Sequence, residues 1–114
     1  MLPKGRVVTF DITIVTCYVT RVIKTFRNRG TAAAFRGLQL KGFPPDLLRR
    51  AQKRLRQLHG ARTLQDLHVP PSNRLEALER ERKGQHSIRI NDQWRICFVW
   101  RDGDAYDVEI VDYH

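Results

Sequence analysis

The sequence predicts an α+β domain in which helices come first and an antiparallel meander follows, the helices covering one face of the sheet. Three observations predict it. Leu47, Leu48, Ala51, Leu55 and Leu58 recur at helical spacing. Pro70 and Pro71 make a rigid break, after which the text turns to strand-like alternation. The pairs Asn91-Asp92 and Asp102-Gly103 then supply turns between the alternating runs.

Taken in order, VIKTF at residues 22–26 alternates apolar and polar positions as a short half-exposed strand does. Gly30 and Thr31 punctuate it, and Thr31 is the expected N-cap of a short helix through Ala32, Ala33, Ala34 and Phe35. Pro44, Pro45 and Asp46 open the main helix, which Gly60 ends; Arg49, Arg50, Lys53, Arg54 and Arg56 fill its polar side and read as a solvated face. A single turn is expected at residues 63–67. Residues 74–78 form a weaker strand, because Leu75 and Leu78 have opposite parity and require a bulge or twist. Residues 86–91 and 93–100 make a hairpin with Ile88 and Ile90 on one face and Arg89 on the other. In the last strand Tyr106, Val108 and Ile110 alternate with Asp107 and Glu109.

The 114 residues suffice for one domain and not for two. No stretch has the apolar length of a membrane-spanning helix, and the apolar run at residues 12–19 is interrupted by Thr13, Thr16 and Cys17. Its β-branched residues, with no small-x-small cleavage site, argue against a secretory signal. Cys17 and Cys97 are too few and too far apart for a disulfide framework or a zinc site, so reduced thiols and a cytoplasmic location are expected. The 21 Lys and Arg against 12 Asp and Glu give a net charge of +9. Such a surface suits RNA, DNA or an acidic protein, and also serves solubility alone.

Arg80, Arg82 and Lys83, with Arg89 and Arg95 across the hairpin, gather cations suited to forked phosphate contacts. Interleaved Glu76, Glu79 and Glu81 allow ordinary surface ion pairs instead. His114 ends the chain after Tyr113, and its imidazole can exchange protons near neutral pH. His59, His68 and His86 read as structural or solvent-facing. No metal-ligand spacing, nucleotide-cradling glycine loop or Gly-x-Ser-x-Gly elbow is present.

The run NRLEALERERKGQHSIRINDQWRICFVW at residues 73–100 and the terminal VEIVDYH resemble the HigB-type branch of the RelE-like toxins, as does VIKTF followed by RNRGTAAAF. The resemblance covers residues 22–114. It implies two helices packed on one face of a small, mainly antiparallel sheet whose other face accepts mRNA in the ribosomal A site. It also implies a type II toxin: a metal-independent, ribosome-dependent mRNA endoribonuclease that needs no cofactor and is held in check by a helix-turn-helix antitoxin. The 2′-hydroxyl attacks the adjacent phosphate, so one proton must be removed, another supplied and the phosphoryl charge stabilised. By resemblance Glu76 is the general base, Arg95 contacts the scissile phosphate, and His114 is the general acid, with Tyr113 and Asp112 positioning it or a stacked base. Arg74, Arg80, Arg82, Lys83 and Arg89 are the expected RNA contacts.

Two departures from the family pattern stand out. Glu79-Arg80-Glu81 replaces a frequent Lys-Gly-Asp run, placing a carboxylate where a lysine is common. That keeps open an alternative, a non-catalytic basic module binding RNA or an antitoxin. Residues 1–21 have no counterpart in the family and are expected to be upstream sequence read from a misassigned start, with Val22 standing where the family methionine does.

Overall fold

The main helix forms where its periodicity places it. In the computed structural model, which describes residues 22–39 and 41–113, α1 spans Arg29–Phe35 and α2 spans Pro45–Gly60. The expectations attached to residues 1–21 and to His114 lie outside the described residues. Pro45 sits in the first turn of α2, where a backbone N–H has no intrahelical acceptor to lose, and Asp46 complements the positive helix end. Leu47, Leu48, Ala51, Leu55 and Leu58 are the buried face.

Asn28, not Thr31, caps α1: its Oδ1 accepts the Thr31 N–H at 2.8 Å. Thr31 lies inside the helix, buried, and its hydroxyl accepts the Ile110 N–H at 3.0 Å. The residue expected to start the helix therefore ties it to the sheet. Short 3-10 turns follow at Leu64–His68 and Pro71–Asn73, the first closed by a Thr63–Asp66 capping box.

Four strands, β1 (Glu76–Ala77), β2 (Gln85–Arg89), β3 (Trp94–Arg101) and β4 (Asp104–Asp112), form an antiparallel sheet in that order. The expected strand at residues 74–78 shrinks to a two-residue β1, because Arg74 takes a left-handed conformation with φ 45°. Residues 22–26 lie parallel to β4, with Lys24 N–H on the Ala105 carbonyl at 2.8 Å and Arg27 N–H on that of Val108 at 2.9 Å. The expectation of a mainly antiparallel sheet covered by two helices on one face is met.

β4 departs from simple alternation. A bulge opposite β3 puts Asp107 at φ 53°, its N–H donating to Thr25 Oγ1 at 2.8 Å. The extra residue changes the phase, so Ala105 and Val108 are fully buried while the Tyr106 ring lies 4.3 Å beneath the Arg101 guanidinium. Tyr106 is not in phase with Val108 and Ile110, contrary to the alternation in the sequence.

The core lies between α2 and the inner sheet face, where Ile88, Ile90, Ile96 and Phe98 meet Leu55 and Leu58. Burial of each such side chain contributes roughly 1.5–3 kcal/mol. Period-2 geometry then turns Ser87, Arg89, Arg95 and Cys97 to the opposite face. Among the described residues no helix is long and apolar enough to cross a membrane.

Candidate active site

The β2–β3 register sets Arg89 directly opposite Arg95 and Ser87 opposite Cys97. Arg95 is only 9% exposed, and a guanidinium so far out of water requires close polar partners. Its Nε donates to Ser87 Oγ at 2.7 Å; its Nη2 donates to the Arg74 carbonyl at 2.5 Å and to the Ser87 carbonyl at 3.3 Å. Arg74 can offer that carbonyl because its left-handed backbone turns the chain away from the sheet edge. Among the described residues Nη1 has no acceptor.

Glu76 pairs with Ser87 in the sheet and brings its half-exposed carboxylate to 3.9 Å from Arg95 Nη2. The Tyr113 ring centre lies 5.9 Å from the Arg95 guanidinium carbon on another side. Tyr113 Oη is 4.0 Å from Cys97 Sγ, which is directed at it. Burial pushes the Tyr113 phenol above its ordinary value, with the Cys97 contact adding to the effect. Burial likewise raises the Cys97 thiol, outweighing the nearby Arg82 and Arg95 charges. Both groups therefore stay protonated near neutrality, and Tyr113 is a neutral hydroxyl.

Arg74, Glu76, Arg89, Arg95 and Tyr113 line one open cleft of about 330 Å³. Asn91 and Asp92 complete its wall. Asn91 Oδ1 accepts the N–H groups of Gln93 and Trp94 at 2.9 and 2.8 Å, fixing the hairpin corner, while Asp92 pairs with Arg89. Three arginines against two carboxylates make a cationic recess, and Glu76 is an acceptor within it. Such a recess can hold a phosphodiester and take a proton beside it.

The other expected residues are placed apart. Asp112 accepts from Gln93 Nε2 at 3.1 Å, next to the Tyr113 N–H bond to the Gln93 carbonyl, and holds the end of β4 without lining the cleft. Arg82 donates to Gln85 Oε1 at 3.1 Å and to Glu109 at 3.4 Å; Arg27 lies 3.7 Å from the same Glu109 carboxylate. Arg80 and Lys83 are exposed at the Arg80–Arg82 turn, outside the cleft. Ser87, Asn91 and Cys97 were not among the site residues expected from the sequence. Counting back across the hairpin from Arg89 and Arg95 locates Ser87 and Cys97. No group of three or more His, Cys, Asp or Glu among the described residues is placed to hold a metal ion.

A profile of the family described as the RelE-like toxin of type II toxin-antitoxin system HigB matches residues 24–114. The chain is 31% identical over 93 residues to the Endoribonuclease HigB of Proteus vulgaris, a match covering 82% of this chain and 100% of that protein. It is 47% identical over 53 residues to Toxin HigB-1 of Vibrio cholerae, covering 46% of this chain and only 56% of that toxin's length. The structure of the YoeB-YefM complex from Staphylococcus aureus aligns with a TM-score of 0.54 at 15% identity, covering 83% of this chain and 99% of that one, which shows a shared fold. The chain belongs to the HigB-like family, the RelE-like toxins of type II toxin-antitoxin systems.

Proposed function

We propose that this toxin, an mRNA endoribonuclease that inhibits translation, cuts its substrate in the ribosomal A site with the cleft around Arg95. The observation that carries the reading is the fixed, three-bond anchoring of Arg95 with the Glu76 carboxylate beside it. Glu76 takes the proton from the 2′-hydroxyl. The 2′-oxygen bonds to phosphorus as the 5′-oxygen leaves, giving a 2′,3′-cyclic phosphate. Arg95 stabilises the charge developing on the phosphoryl oxygens, and Arg74 and Arg89 hold the strand on either side. Tyr113 supplies a neutral hydroxyl and a ring for a base to stack on. His114 protonates the leaving oxygen, and Asp112 fixes the chain end that carries it.

So few groups on an open surface need the ribosome to hold the RNA in line for attack. A net charge of +9 favours the ribosome and the message, and calls for a neutralising helix-turn-helix antitoxin in the cytoplasm. Glu79 is exposed at the head of the Arg80–Arg82 turn and outside the cleft, which lessens its weight for the binding-only alternative.

The test is induced expression with mapped mRNA ends, comparing wild type with a Glu76→Gln, His114→Ala double variant. Growth arrest and new ends are expected from wild type alone, with relief by the neighbouring antitoxin. Normal growth with abundant folded wild-type protein would leave the binding module as the better reading.

A further inference from the structure

The arginines of α2 divide into two groups. Arg49 is paired with Asp46, and Arg56 lies over the Phe35 ring at 5.7 Å, so each has a local role. Arg54 is different. Its Nη1 meets Gln57 Oε1 at 3.1 Å and its Nη2 meets Ser72 Oγ at 3.3 Å, both neutral acceptors. Ser72 belongs to the Pro71–Asn73 turn, whose C-cap is Arg74, a wall of the cleft. Arg54 thus reaches from the helix to the segment that shapes the active site. Arg50 is one turn earlier on the same helix face, exposed, with no ion-pair partner among the described residues.

We propose that Arg54 and Arg50 continue the cleft as a phosphate track, carrying the backbone of the same RNA strand from Arg74 and Arg89 onto α2. The inference rests on the cleft being the RNA site. Burial, then the charges of Arg89 and Arg50, lower the Arg54 guanidinium from its ordinary value. Asp92, in the cleft wall, is paired with Arg89 and 99% exposed, a counter-charge that a phosphate can replace. A solvated helix face would leave its arginines free to spread apart. Anchoring Arg54 through neutral groups keeps its charge undiminished for an anion.

The experiment measures binding of two 2′-O-methylated, uncleavable RNAs, one of about four and one of about sixteen nucleotides. Arg50→Gln with Arg54→Gln is expected to weaken the long RNA roughly tenfold or more at 0.1 M salt and to flatten its salt dependence by about 1.4 in log–log slope. The short RNA should bind as before. Arg49→Gln with Arg56→Gln removes the same charge off the track and should change little. Equal weakening by both pairs, or no loss of long-RNA binding in the first, overturns the track. Arg50→Gln alone, at an exposed position, should give part of the loss with an unchanged melting temperature, which separates the effect from misfolding. Failure of the cleft reading looks different: Arg95→Ala would then leave short-RNA binding untouched.

Discussion

Arg95 Nε and Ser87 Oγ lie 2.7 Å apart, and this bond joins neighbouring strands beneath the most buried cation of the cleft. Ser87 is fully buried, so its hydroxyl serves Arg95 without competition from water. Ser87→Ala should cost about 1.5–3 kcal/mol of Arg95 anchoring, the range for a hydrogen bond to a charged group, and slow cleavage by roughly tenfold to a hundredfold. Single-turnover cleavage of ribosome-bound mRNA checks it. A wild-type rate in folded Ser87→Ala protein would show that Arg95 orientation does not depend on this bond.

Glu76→Gln preserves shape and removes the base. The side chain is 54% exposed, so the melting temperature should barely move while the cleavage rate falls by roughly a hundredfold to ten-thousandfold. Stability and rate measured on one preparation make the comparison. Parallel loss of both would mean that Glu76 is structural.

Asn73 is fully buried and donates through Nδ2 to the Leu67 and Val69 carbonyls at 3.1 and 3.4 Å, bracing the turn that delivers Arg74. Asn73→Ala should cost about 1–3 kcal/mol in denaturant unfolding, because the buried Leu67 carbonyl loses its donor, as does the partly buried one of Val69. Cleavage should fall even where the variant is fully folded, since the Arg74 carbonyl that holds Arg95 rides on that turn. Full activity at reduced stability would uncouple the turn from the site.

Stability should decline as pH falls below the ordinary histidine value of 6.5, partly through His86. Burial lowers its pKa, and its Nδ1 is enclosed without a hydrogen-bond partner. The unfolded chain therefore binds a proton at a pH where the folded one does not, so stability is lost from 6.5 downward towards the folded value. Thermal melts across that range should show a shallower slope for His86→Phe; an identical slope would exclude His86 as a contributor.

The bounds of α2 and the Arg89–Arg95 pairing were legible because each follows from periodicity within one continuous segment. The bulge at Asp107 was not, since the Thr25 hydroxyl that accepts its N–H is far away in sequence. Arg74 appeared among the expected RNA contacts as a cation, yet its carbonyl matters as much, and a left-handed arginine carries no local signature. Ser87 is an ordinary strand serine until Arg95 is laid across it. The reach of Arg54 to Ser72 likewise depends on how the turn folds back beside α2. Periodicity identifies faces, whereas a site formed between segments depends on tertiary placement.

β1 ends where the cleft begins. Had Leu75 and Arg74 continued the ladder opposite Ile88 and Arg89, the sheet would gain backbone bonds and its edge strand would fill the recess. Selection for heat resistance alone would therefore favour replacements that straighten residue 74, such as a β-branched side chain, and would accumulate sturdy but inactive proteins. A library screened for both traits should keep the kink and find its improvements elsewhere.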